Sequence, residues 1–150
     1  MMESAQLLVE ARGPIEIVSL NRPAALNALS VALVSELSAY VEALKDQPSV
    51  RVVILRGEGR AFCAGLDIKD TREDSEETHF QRTWRTQTKI AGLVKAMRAA
   101  PQPFIALAQG AACGGGLSLL LASDVRIGAP SLKMNAAYIK IGLGLSLIHI

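Results

Sequence analysis

The chain has 150 residues, half of them hydrophobic, and its 16 Lys and Arg nearly balance its 14 Asp and Glu. That is enough apolar material for the core of one ordinary domain. Aromatics make up only 4 % and do not interleave with basic residues, which argues against a nucleic-acid partner. No stretch reaches the roughly 18 to 20 apolar residues of a membrane span, and "MMESAQLLVEARG" lacks the basic-then-apolar order of a leader. The expectation is a cytoplasmic protein with no membrane partner. Cys63 and Cys113, without CxxC spacing, read as reduced, buried small hydrophobes.

In chain order, "PIEIVSLNRP" predicts a strand with one buried face carrying Ile15, Ile17 and, out of phase, Leu20, stopped by an Asn-Arg-Pro turn. From Ser30, an N-cap, Leu33, Val34, Leu37, Val41 and Leu44 recur at helical spacing. "VRVVILRGEG" is a β-branched run of the kind that fills a parallel sheet, buried on both faces. After "RAFCAGLDIKD" and the charged "TREDSEETH", Phe80, Trp84, Leu93, Val94 and Met97 mark a long helix that stops before "PQP". Trp84 and Met97 read as core. "PFIALAQG" is a third buried strand, "GLSLLLAS" a short apolar helix opened by glycines, and "DVRIGA" a fourth strand. The alternation of strand and helix defines an α/β domain.

Two strand ends carry the chemistry. The strand ending near Leu55 leads to "AFCAGLD", and the strand ending near Leu107 leads to "QGAACGGGL". Small residues just past a strand let main-chain N–H groups approach a ligand, and a glycine-rich turn opening a helix adds unpaired donors and the positive end of the helix dipole. Two such turns side by side can form an oxyanion hole; either alone can equally serve tight packing. "GGGLSLL" lacks the Gly-Lys-Ser/Thr ending of a phosphate loop, and the dinucleotide spacing fails at Ala112. Nothing in the pattern points to a metal site.

The segments "SLNRPAALNALS", "AFCAGLDIKD" and "QGAACGGGLSLLLASDVRIGAPS", in this order and spacing, resemble the enoyl-CoA hydratase/isomerase (crotonase) family from about Ile15 to about Gly144. The resemblance implies a crotonase-like (ClpP/crotonase) spiral of ββα units, incomplete at its C-terminal end, over residues 1–144, with subunits joined as a homotrimer or hexamer in a full-length protein. It implies an acyl-CoA thioester as partner, coenzyme A being part of the substrate and no cofactor being held permanently. The thioester carbonyl would lie between the main-chain N–H groups of Leu66 and Gly115. CoA would run along Arg22, Ala24, Leu26, Ala64, Leu66, Asp67, Ile68 and Lys69. Arg22, Lys69 or Arg72 could meet its phosphates, although Ala24 stands where relatives often carry Lys.

The pattern departs from the family at the two positions that carry glutamates in its hydratases, here Ser118 and Tyr138. Hydration needs a base for water and an acid for the α-carbon, and a hydroxyl of pKa about 10 or above is a poor base without an activator. The reaction type therefore stays open, and a non-catalytic CoA-ligand-binding pseudoenzyme or inactive fragment is the alternative. Among other acids, Asp67 reads as the cap of its turn, Asp124 as the end of a helix, and Glu73, Asp74, Glu76 and Glu77 as a solvated run. A serine-peptidase reading of Ser118 needs a histidine base, and only His79 and His149 exist. Residues 145–150, "LSLIHI", match no family motif and read as a non-native tail or frameshift scar.

Overall fold

The computed structural model describes residues 5–70 and 78–138. Seven strands and three α-helices follow in the order β1 (Leu7–Arg12), β2 (Ile15–Leu20), α1 (Val31–Ala43), β3 (Val52–Gly57), α2 (His79–Ala99), β4 (Phe104–Ala108), β5 (Ala111–Cys113), α3 (Gly115–Ala122), β6 (Val125–Gly128) and β7 (Lys133–Asn135). The main sheet runs β1-β2-β3-β4-β6, and β5 pairs with β7 in a small second sheet. β1 and β2 form an antiparallel hairpin; every other pair is parallel.

Sheet and helices meet over one apolar layer. Val18 and Leu20 of β2, Val53 and Leu55 of β3, and Phe104, Ala106 and Ala108 of β4 join Leu33, Leu37 and Val41 of α1 and Ile90, Leu93 and Met97 of α2 in a single buried cluster. This is the period of two meeting the period of 3.6, each element turning its apolar side to the same layer. Ser30 caps α1 as expected, its Oγ accepting from Leu33 N at 3.0 Å. Thr78 and Gln81 form a reciprocal capping box at the start of α2. The helix therefore begins at a polar signal rather than at its apolar stripe.

Several expectations are corrected. The core side of β2 is Val18 and Leu20, whereas Ile15 is exposed and Ile17 half-buried; the opposite parity follows from the pleat, because residues 15 and 17 cannot share a face with 20. β3 is fully buried on one face only, with Ile54 and Arg56 half-exposed on the other. Trp84 is not core but 68 % exposed, while Met97 is buried. Cys63 is buried, and Cys113 only partly so. β1, β5 and β7 were not legible as strands: β1 has no buried alternation, and β5 and β7 are three residues each. Asp124 follows α3 and ties three elements together, accepting from Phe104 N at 2.9 Å and from Arg98 at 2.6 Å. Arg72, Glu73, Asp74, Glu76, Glu77, His149, the 145–150 tail and the side chains of His79 and Phe80 lie outside the described residues.

Candidate active site

The two glycine-rich strand ends lie together. After β3, residues 61–66 run beside β5: Phe62 N donates to Gln109 O at 2.7 Å, Cys63 N to Ala111 O at 3.0 Å, and Cys113 N returns to Cys63 O at 3.0 Å. A little further on, Leu66 forms a parallel bridge with Leu29. In that bridge Leu29 uses its own groups, bonding Gly65 O at 2.7 Å and Asp67 N at 3.1 Å. Leu66 N–H therefore faces away from Leu29.

On the other side, Gly114 is the N-cap of α3 with φ +49° and ψ −121°, a backbone conformation glycine adopts without the penalty a side chain would bring. Gly115 is the first helical residue, so its N–H is one of the donors a helix leaves without an internal partner. The contact between the two loops is tight: a Cβ on Gly65, whose φ is +101°, would lie 2.8 Å from Cys113 O and 3.7 Å from Gly115 N. Leu66 and Gly115 line one cavity of about 220 Å³, together with Ile68, Gln87, Ile90 and Tyr138. Among the described residues no Asp or Glu lines it.

Ser118 and Tyr138, 20 positions apart, are brought into contact: their hydroxyls are hydrogen-bonded to each other. Tyr138 OH also donates to Gly114 O at 2.6 Å, and Ser118 N donates to the same carbonyl at 3.0 Å. Burial raises the Tyr138 hydroxyl above the ordinary phenol value, with the Ser118 bond opposing. The phenol is neutral at physiological pH and serves as a donor. Cys63, fully buried behind the cavity, has its thiol pushed up to about 12 by burial and is chemically quiet.

The residues expected along CoA divide into three groups. Ala64, Leu66 and Ile68 line the cavity, whereas Ala24 and Lys69 are exposed and are not part of its lining. Leu26 is built into the framework, in the left-handed region at φ +53°, with its carbonyl accepting from Ala64 N at 3.0 Å. Arg22 is engaged internally: one nitrogen donates to Ala28 O at 2.6 Å and another pairs with Asp67 at 2.9 Å. Asp67 caps its turn through Lys69 N at 3.1 Å and Asp70 N at 3.3 Å. Its burial favours a raised pKa, but the Arg22 and backbone N–H bonds outweigh that and hold the carboxyl below its ordinary value.

Two supporting residues escape a reading by motif. Asn27 is completely buried at φ +54°. Its Oδ1 accepts from Arg22 N at 2.8 Å, and its Nδ2 donates to both Glu58 O and Ala61 O at 2.8 Å. Asp70 accepts from Val31 N at 2.7 Å, fastening the Leu66 loop to the start of α1. The available signal for Asn27 was its type, since Asn is the non-glycine residue that best tolerates a left-handed turn.

A mostly parallel sheet with paired glycine-rich turns at adjacent strand ends, both lining one cavity, defines an α/β protein. The family model described as enoyl-CoA hydratase/isomerase matches residues 15–144, and the chain belongs to that family. A probable enoyl-CoA hydratase of Mycobacterium leprae is 36 % identical over 138 residues, 90 % of this chain and 47 % of that protein. The mouse mitochondrial methylglutaconyl-CoA hydratase is 38 % identical over 135 residues, 89 % of this chain and 41 % of that protein. Among solved structures, an enoyl-CoA hydratase/isomerase from Marinobacter aquaeolei superposes with a TM-score of 0.85 at 30 % identity, over 95 % of this chain and 56 % of that one. The fold is that of the crotonase-like enzymes, and the chain spans about half the length of the curated relatives it matches.

Proposed function

We propose that the protein binds an acyl-CoA thioester and stabilises its enolate between the main-chain N–H groups of Leu66 and Gly115. The observation that carries this reading is that both residues line one cavity while, among the described residues, neither N–H has a place in the surrounding backbone pairing. A thioester carbonyl gains negative charge as its α-carbon loses a proton or its β-carbon is attacked, so fixed donors act most strongly in the transition state. CoA lies along the Arg22 to Leu26 turn and the Ala64 to Lys69 loop. Lys69 is the exposed cation best placed for a phosphate, Arg22 being paired with Asp67. In the full-length protein the subunits assemble as trimers or hexamers in the cytoplasm.

The absence of a carboxylate from the described cavity lining favours a second reading, a CoA-ligand-binding protein without hydratase turnover. Assay of the protein against crotonyl-CoA and other acyl-CoAs separates the two. Turnover of any thioester that falls about 100-fold or more in Gly115→Val supports the enzyme, by the usual cost of losing an oxyanion donor. Binding without turnover supports the second reading, and neither binding nor turnover contradicts both.

A further inference from the structure

The carbonyl of Gly114 and the N–H of Gly115 belong to one peptide group. With no cis peptide bond among the described residues, that group is trans and planar, so its C=O and N–H point in opposite directions from a single rigid plate. Whatever grips the carbonyl aims the N–H. The carbonyl is gripped twice, by Ser118 N at 3.0 Å and by Tyr138 OH at 2.6 Å. Tyr138 has one proton, and it is committed to Gly114 O; the hydrogen bond between the two hydroxyls is therefore donated by Ser118 Oγ.

The result is a directed chain: Ser118 O–H to Tyr138 O–H to the Gly114 carbonyl, and through that peptide to Gly115 N–H. We propose that Tyr138, backed by Ser118, is a positioning residue that orients and polarises the Gly115 N–H as an oxyanion donor. This inference rests on the reading of Leu66 and Gly115 as the donors to a thioester.

Three features support it. Hydrogen bonds in series polarise one another, and accepting a proton at the carbonyl makes the N–H of the same amide a stronger donor. Tyr138 is itself fixed, because Gly114 N donates to Asn135 O at 2.9 Å at the end of the β5–β7 pair and Tyr138 N donates to Ala136 O at 2.8 Å. Gly114 also has no Cβ, so its ψ, one of the two torsions that turn this plate, is restrained by the two bonds to its carbonyl rather than by a side chain of its own. The two hydroxyls thus have work to do without acting as acid or base, and their neutrality suits it, since a phenolate would lose the proton that the carbonyl accepts.

The test is the infrared carbonyl stretch of acetyl-CoA, isotopically labelled at its thioester carbonyl and bound to the full-length protein. In the unsubstituted protein the stretch shifts to lower frequency on binding. Tyr138→Phe loses about 10–30 % of that shift, the share one bond in a series contributes, and Ser118→Ala loses less. The kcat of the Tyr138→Phe protein for whichever thioester is turned over falls about threefold with KM unchanged, as expected for a donor weakened mainly in the transition state. meta-Fluorotyrosine at position 138, a stronger donor of nearly the same shape, increases the shift and needs no loss of packing. An unchanged shift in both position-138 proteins overturns this inference alone. No shift in the unsubstituted protein, or no bound acetyl-CoA, overturns the oxyanion reading and this inference with it.

Discussion

The two proposed donors are held by opposite means. Leu66 lies in an irregular loop, and the loop is clamped by polar side chains: Arg22 on Asp67, Asp70 on the start of α1, and buried Asn27 joining the Arg22 turn to residues 58–61. Gly115 opens a helix between two glycines, with neutral hydroxyls on the preceding carbonyl and the Leu29 and Ile90 side chains beside it. In the loop, side-chain bonds add to the backbone pairing of residues 62–67 with neighbouring segments, whereas at the helix start the first carbonyl is held by the helix's own N–H and by one hydroxyl. The comparison predicts that lesions on the Leu66 side act first on stability and lesions on the Gly115 side first on the cavity.

Asn27→Ala has the largest expected effect. It leaves Arg22 N, Glu58 O and Ala61 O without their partner and places alanine at φ +54°, at a combined cost of about 4 kcal/mol. Asn27→Gly removes the same bonds without the backbone strain, so urea denaturation of the two variants should differ by about 1 kcal/mol in favour of glycine. Equal stability of the two would mean that the left-handed turn carries no strain. Gly116→Ala comes next and marks the limit of the comparison, since on the helix side the packing itself is unforgiving. Its Cβ would fall 2.2 Å from Cys63 O and 2.7 Å from Cys63 Cβ, costing about 3 kcal/mol by overpacking.

The two neighbouring glycines differ in the expected way. A Cβ on Gly115 meets chiefly the Leu29 Cδ1 atom, at 2.8 Å, the far end of a buried side chain, whereas one on Gly116 meets backbone. Gly115→Ala should therefore retain most of its stability, within about 1 kcal/mol, while thioester affinity or turnover falls. A loss of folding as severe as that of Gly116→Ala would contradict the division between framework and site.

The smallest effect belongs to the ion pair. Asp67→Asn removes a partly exposed pair and weakens two turn bonds, costing about 1 kcal/mol at pH 7. The folded carboxyl is held below its ordinary value, so its contribution is complete above the unfolded pKa of about 4 and is lost as pH falls through the folded value. Thermal unfolding from pH 7 downward should show the stability gap between the native chain and Asp67→Asn closing only below about pH 4. A gap that closes between pH 5 and 7 would place the stabilising charge elsewhere.

Legibility in the sequence followed the same division. The α1 and α2 stripes, the parallel strands β3 and β4 and the glycine-opened α3 could all be read because apolar period and turn residues are local signals. Ser118 and Tyr138 could be singled out only by resemblance, and their mutual hydrogen bond depends on the β5–β7 pairing, between strands too short to leave a pattern. Trp84 misled because an aromatic on a helical stripe reads as core, yet it lies 13 residues before Met97 on α2, where the exposed face of the helix places it. Asn27 and Asp70 were passed over because each acts on backbone groups distant in sequence, which no spacing rule reveals.

The most direct test of the central claim is the amide proton spectrum of nitrogen-labelled full-length protein titrated with acetyl-CoA. The account predicts that the Leu66 and Gly115 amide protons move downfield together, saturating with one dissociation constant, because both gain the same carbonyl acceptor. Saturable binding that leaves both resonances unmoved, or moves only one, would contradict a two-donor site.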